Sequence, residues 1–189
     1  MTCEACKTIP PVIAEGYENK GSWIELAGLK TCTSLYLLTL QGADALSAAL
    51  DCLVIVPDFF KGGKMEEEWM TKPTESNKPL KEEFFKFAMD FKNFAPVLDE
   101  VVEKGKAKWG SVEAWGAYGL CWGGKVVALT SGASTPFKAS GQVHPARLET
   151  EDAKKITIPH IVLASNGEDE KIVNEYKEVL VGEGKKGEV

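Results

Sequence analysis

The stretch Glu113–Leu129, EAWGAYGLCWGGKVVAL, decides how the rest of this chain is read. A short aromatic and apolar segment, Ala114 to Tyr118, runs into Gly119-Leu120-Cys121-Trp122-Gly123-Gly124, and a helix-like segment follows from Lys125. That order predicts a strand, a sharp turn and a helix. Glycines on both sides of one reactive residue let the backbone turn tightly and let neighbouring elements approach, so the side chain between them stands on a strained corner. Here that residue is Cys121. The pattern G-x-C-x-G-G has the form of the nucleophile elbow G-x-S-x-G with cysteine in place of serine. A thiol at a helix N-terminus sees N–H groups and the positive end of the helix dipole, and both favour the nucleophilic thiolate. The backbone N–H of Trp122 is then an oxyanion donor. The competing interpretation is a buried, inert cysteine in a glycine-rich turn.

Around this stretch, 189 residues suffice for one domain with a substantial core, and a single domain over 1–189 is expected. A net charge of −6 argues against a nucleic-acid or anionic-membrane partner, which would call for a clustered basic face. The lysines mostly alternate with acids, as in Lys61-Gly62-Gly63-Lys64 followed by Glu66-Glu67-Glu68, the pattern of a solvated surface. No apolar run has the length to span a bilayer, and the N-terminus lacks the basic-then-apolar form of a secretory signal, so a cytoplasmic location is expected. Five cysteines at irregular spacing fit a reducing compartment better than a disulfide framework. Cys3-Glu4-Ala5-Cys6 has the C-x-x-C form of zinc and dithiol sites, but no second pair or nearby histidine accompanies it. It is read as part of a loosely ordered segment over 1–20, and neither a metal nor a cofactor is expected.

The segment from Gly21 is rich in strand-favouring residues and predicts one or two strands ending near Leu40, with a short helix from Gln41 to Asp51. Leu53-Val54-Ile55-Val56 has the character of a central parallel strand buried on both faces. Ligand crevices of open α/β sheets lie at the carboxyl ends of the strands, so Pro57 to Lys64 should border the site. Phe59 and Phe60 could line a pocket or belong to the core, and Lys61 or Lys64 could attract a substrate carboxylate or be simply solvated. Residues 65–78 read as a loop or broken helix, and a helix follows from Leu80 with Phe84, Phe87, Phe91 and Phe94 on one packing face. Pro96 should kink or divide it, with a second piece over 97–106. Beyond the elbow, strands are expected over 137–143 and 156–165, and a helix over 170–181. The order of elements is that of an α/β protein.

On Gly119-Leu120-Cys121-Trp122-Gly123-Gly124, with the flanking Pro57-Asp58 and Gly167-Glu168-Asp169, the chain resembles the dienelactone hydrolases, most closely their fungal members. The resemblance implies an α/β-hydrolase sandwich, with a mostly parallel central sheet and helices on both faces. It also implies hydrolysis of a small ester or lactone by a Cys-Asp-His triad. Asp169 stands where the family carries its acid, although an aspartate there is equally a helix N-cap. Asp58 is the weaker rival.

Two departures accompany the resemblance. His144 and His160 both precede Asp169, whereas the family's histidine lies on a late loop after the acid; the chain runs into a polar tail where relatives carry a last strand, the histidine loop and a terminal helix. His144, at a strand end, could approach the crevice; His160, inside a strand, reads as a core histidine. Between Thr31 and Leu40, where relatives have a strand and the loop with the second oxyanion donor, the chain has Cys32 to Thr39, with Leu35-Tyr36-Leu37-Leu38 as a replacement strand. The reading is therefore hydrolysis through Cys121, with a catalytically impaired or inactive, shortened family member that at most binds a small molecule or a partner as the alternative. Uncovered sheet edges make self-association an expectation.

Overall fold

The computed structural model describes residues 14–22, 24–25, 36–66, 68–182 and 186–189. Cys3, Cys6, Cys32 and most of the strand region expected between Gly21 and Leu35 lie outside the described residues. The chain divides into two compact units, Pro11–Val97 and one built on Leu98–Val189.

The first unit opens its regular structure with helix α1, Tyr36–Leu50. This corrects the replacement strand expected at Leu35 to Leu38 and moves the helix start upstream of Gln41. The physical reason is composition: the run holds leucines and alanines, good helix formers, and a short apolar run does not by itself separate strand from helix. Residues 14–20 are held along α1. Asp44 Oδ2 accepts from the Tyr17 hydroxyl at 2.5 Å and from the Lys20 N–H at 2.9 Å, and Gln41 Oε1 accepts from the Ala14 N–H at 3.1 Å. Those donations hold the Asp44 carboxyl below the usual carboxylate range.

The expectation of a central strand at Leu53 to Val56 is also corrected. These residues pair with no strand among the described residues, and Leu53 is 47% exposed. Apolar character promotes burial, but a strand exists only where a ladder partner accepts its hydrogen bonds. Beyond it, Asp58 is fully buried and organises its own turn, accepting from the N–H groups of Phe60 at 3.2 Å and Gly62 at 2.6 Å. Helices α2, Glu68–Thr71, and α3, Lys78–Ala88, follow, then a 3-10 turn at Phe91–Asn93. Phe60 packs on Phe84 and Phe94 with ring centroids 5.3 and 5.7 Å apart, and Phe59 meets Phe94 at 5.9 Å, so the stripe packs around the buried Phe91 and Phe94, while Phe87 is exposed. The expected break at Pro96 falls instead at Met89 and Asp90. Pro96 lies in the first turn of α4, Ala95–Lys108, where the missing N–H costs no intrahelical bond.

The second unit carries the sheet. Strands β1, Gly116–Leu120, β2, Ala139–Val143, β3, His160–Leu163, and β4, Gly187–Glu188, pair in that order, all parallel. Helices α5, Trp122–Thr130, α6, Thr150–Lys155, and α7, Glu170–Val181, connect them. This is a four-stranded parallel α/β arrangement with flanking helices, as the sequence predicts. Two details differ from expectation: α6 is new, and the polar tail contributes β4. Strand β3 is also shorter than 156–165; Pro159, without an N–H, stands directly before it.

The core of this unit joins Ala128, Ala153, Ile156, Val162, Tyr176 and Leu180. Full burial of a side chain such as Ile156 or Leu180 contributes about 1.5–3 kcal/mol. The same sheet face holds a buried polar chain. His160 Nδ1 is 2.7 Å from Ser140 Oγ, His160 Nε2 is 2.9 Å from Gln142 Nε2, and that amide also donates to the Tyr176 hydroxyl at 2.7 Å. Burial pushes the His160 pKa down to about 4. The opposite face presents Tyr118, Leu120, Ile161 and Leu163, all substantially exposed. Among the described residues no helix is long and apolar enough to cross a membrane.

Candidate active site

At the end of β1 the backbone turns through Cys121, with φ +50° and ψ −112°, directly into α5. A non-glycine residue held there stores on the order of 1–3 kcal/mol of strain, which persists only where the surroundings impose it. Here they do. A Cβ on Gly119 would sit 2.1 Å from the Gly123 carbonyl oxygen and 2.5 Å from the Gly124 nitrogen, so the strand and the first turn of the helix touch only because Gly119 has no side chain. Gly124 lets α5 close onto β2, where an added Cβ would be 3.2 Å from Gln142 Cβ. The Cys121 N–H donates to the Val143 carbonyl at 3.0 Å, and the Cys121 carbonyl accepts from the N–H groups of Gly124 and Ala146, each at 3.0 Å. The corner is thus stitched to both its own helix and the end of β2. The Cys121 side chain is half-buried, and Trp122 opens the helix with its N–H directed towards the N-terminal end.

Register brings a second group to this corner. Leu120 pairs with Val143, so Cys121 and His144 leave the sheet at the same level on neighbouring strands. His144 also has a positive φ, +49°, and its N–H donates to the Leu163 carbonyl at 2.8 Å. Its Nδ1 lies 2.8 Å from Glu168 Oε1 and 2.9 Å from Ser165 Oγ. A carboxylate only accepts, so this contact assigns the hydrogen to Nδ1. Glu168 is well held: its side chain is 7% exposed, and Oε2 accepts from the Ser165 N–H. Ser165 Oγ in turn accepts from the Gly167 N–H at 3.1 Å.

Lys125, on the elbow helix, anchors the loop that follows His144. Its buried Nζ reaches Asp152 Oδ2 at 2.5 Å, Glu149 Oε2 at 3.0 Å and the Arg147 carbonyl at 3.2 Å. Arg147 has φ +53°, so three residues outside the glycines adopt the left-handed region within this loop and corner.

The residues expected from sequence distribute unevenly. Cys121, Trp122 and His144 stand at the carboxyl ends of the neighbouring strands β1 and β2. Asp169 is exposed and caps α7, its Oδ1 accepting from the N–H groups of Lys171 at 2.9 Å and Ile172 at 3.3 Å. The carboxylate that reaches an imidazole is its neighbour Glu168. His160 is core, as described. Asp58, Phe59, Phe60 and the exposed Lys61 belong to the first unit, where the first three serve its turn and aromatic cluster. That unit also has a cavity of about 680 Å³ lined by Trp69, Phe85, Lys78 and Lys81, with no cysteine or histidine. Sequence reasoning missed Glu168, Ser165 and Lys125. The only signal for the first two was their place in the loop after a strand; nothing local indicated which of two adjacent acids turns towards His144. Among the described residues no group of three or more His, Cys, Asp or Glu side chains could hold a metal ion.

Comparison with known proteins places this segment in a family. The model of the dienelactone hydrolase family matches residues 48–185, a span that includes the elbow, His144 and α7. Two curated relatives are AIM2 family proteins of Schizosaccharomyces pombe, both described as uncharacterized. One is 33% identical over 140 residues, covering 74% of this chain and 55% of its own length. The other is 30% identical over 158 residues, covering 84% of this chain and 63% of its own length. The chain therefore spans between half and two thirds of the length of these relatives. No solved structure matches it significantly. A strained cysteine at a strand-to-helix corner of a parallel sheet, in a segment matched by the family model, leads to one conclusion: the chain belongs to the dienelactone hydrolase family.

Proposed function

We propose that the chain hydrolyses a small ester or lactone with Cys121 as nucleophile. The observation that carries this reading is the Cys121 backbone, held at φ +50° between β1 and α5. That corner sets sulfur beside the N-terminus of a helix, where N–H groups and the helix dipole favour developing negative charge. The sulfur adds to the substrate carbonyl, and the Trp122 N–H donates to the oxyanion. Collapse expels the alcohol and leaves a thioester, which water then hydrolyses. Asp169 contributes through the turn that it caps, since its two backbone contacts fix the start of α7 and with it the loop from Ser165 to Glu168.

Turnover of an aryl acetate or a dienelactone tests the reading. Activity should fall to background in Cys121→Ala, and rapid mixing should show a burst of product as the acyl-enzyme fills. Equal rates for the wild type and the variant would overturn the assignment.

Self-association is part of the same proposal. β1 is at the end of the strand order, and the face bearing Tyr118, Leu120, Ile161 and Leu163 is apolar and exposed. All-parallel sheets ordinarily have both faces covered, and a second copy of the chain would cover this one.

A further inference from the structure

We propose that the first unit carries a binding site of its own, and that the cavity between α2 and α3 takes a planar aromatic carboxylate. Every residue lining that cavity belongs to the first unit, so its ligand is independent of the hydrolytic reading of Cys121.

The cavity holds about 680 Å³, within the range of about 300–1,000 Å³ typical of small-molecule sites. One wall is a single face of α3, because Lys78, Lys81, Glu82 and Phe85 recur at the spacing of successive helical turns. Trp69 of α2 contributes the second wall, and the loop from Pro73 to Asn77 completes the lining.

The aromatic surface is braced from behind. Trp69 and Phe85 each meet Phe84 edge-on, with ring centroids 5.9 and 6.2 Å away, and Phe84 packs on Phe60 at 5.3 Å. Both cavity rings are thus fixed by the aromatic cluster, yet neither is fully buried. Rings held in this way lose little freedom when a flat apolar ligand enters between them. The loop is fixed as well. The Thr74 N–H donates to Asn77 Oδ1 at 2.7 Å, the Asn77 N–H donates to Thr74 Oγ1 at 3.2 Å, and Asn77 Nδ2 donates to the Lys72 carbonyl at 3.0 Å. These reciprocal bonds form the cavity in advance of any ligand.

Charge sets the sign of the ligand. Lys78, Glu75 and Glu82 stand exposed at the rim, whereas Lys81 is half-buried in the wall. Among the described residues the Lys81 ammonium has no ion-pair or hydrogen-bond partner. It lies at the end of the first turn of α3, which carries no acid, and Asn77 makes no side-chain bond to the helix N–H groups. The positive end of the helix dipole therefore reinforces the lysine. A half-buried cation without a counter-ion, beside two braced rings, is complementary to a flat ring that bears one carboxylate. The ring meets Trp69 and Phe85, the carboxylate meets Lys81, and Lys78 adds a second cation at the rim.

Isothermal titration calorimetry with 2-naphthoate tests this site. Two controls separate its parts: 2-naphthamide, which keeps the rings without the charge, and acetate, which keeps the charge without the rings. The proteins compared are the wild type, Lys81→Gln, Trp69→Leu and Cys121→Ala. Wild type and Cys121→Ala should bind 2-naphthoate alike, at one saturable site, with both controls weaker. Lys81→Gln should weaken 2-naphthoate about fivefold, the scale of a partly solvated charge pair. Trp69→Leu should weaken it about tenfold through loss of the stacking face. Lys81→Gln removes only an unpaired charge and keeps the test in force should Trp69→Leu fail to fold. No saturable binding of 2-naphthoate below about 1 mM, equal binding of 2-naphthamide, or unchanged affinity in Lys81→Gln would overturn the proposal. Binding that disappears in Cys121→Ala would put the ligand at the elbow and overturn it as well. Hydrolysis of an aryl acetate, measured in parallel, should be lost in Cys121→Ala and kept in Lys81→Gln, so failure of the cavity site and failure of the nucleophile are read separately.

Discussion

Acidification should destabilise the second unit through His160. The imidazole lies beneath the helices, and burial lowers its pKa from 6.5 to about 4. Its Nε2 faces the Gln142 amide nitrogen, which donates to the Tyr176 hydroxyl, so a second ring proton would set one donor against another. The folded chain therefore keeps this histidine neutral, while the unfolded chain protonates it below its ordinary value. Between pH 6.5 and about 4 the unfolded state binds more protons, and stability falls as pH falls. Above that window the group adds no slope, and below it the loss is complete. At about 1.4 kcal/mol per pKa unit the full loss is roughly 3 kcal/mol. For a chain of this size that is a fall of several degrees in Tm, at about 2–4 °C per kcal/mol. Urea unfolding followed by far-UV circular dichroism, stepped from about pH 7 to about pH 4.5, measures it against His160→Gln, which cannot titrate. The variant should be less stable at neutral pH but have a shallower dependence across the window. Identical slopes in the two proteins would refute the reasoning.

Two further outcomes follow from the same unit. Lys125→Met should destabilise by about 3–5 kcal/mol, because it leaves Asp152 buried beside a lost cation; the double variant Lys125→Met/Asp152→Leu should recover much of that loss in a chemical denaturation curve, and no recovery would show that Lys125 acts through Glu149 and the Arg147 carbonyl instead. Sedimentation velocity should show a species heavier than the 20.6 kDa chain, and Leu163→Glu should shift the distribution to the monomer by placing charge on the exposed sheet face. A wild type that is monomeric at all concentrations would contradict the proposed pairing.

What could be read from the sequence was whatever is decided within a few residues. The elbow was legible because glycines, a nucleophile and a following helix form one local pattern, and α7 was legible because Asp169 caps a strongly amphipathic run ending at Val181. The run Leu53–Val56 was not, because apolar character cannot reveal whether a pairing partner exists. Tyr36 to Leu38 entered a helix because a leucine run serves either state. The pairing of His144 with Glu168 was out of reach for a different reason. It depends on the level at which β2 ends relative to β1 and β3, and parallel register is set across crossovers that join distant parts of the chain. Choosing between Glu168 and Asp169 also requires the direction of the turn, which puts one acid on the ring and the other on the helix.

The two glycines on either side of Cys121 are not equivalent. No side chain fits at Gly119, yet a Cβ at Gly123 would meet no atom within 4 Å. Under selection for the elbow alone, the first glycine is frozen and the second is free to drift to alanine or serine. A signature that demands both would overlook relatives that keep the corner, and the residue to anchor such a search on is the glycine two places before the cysteine.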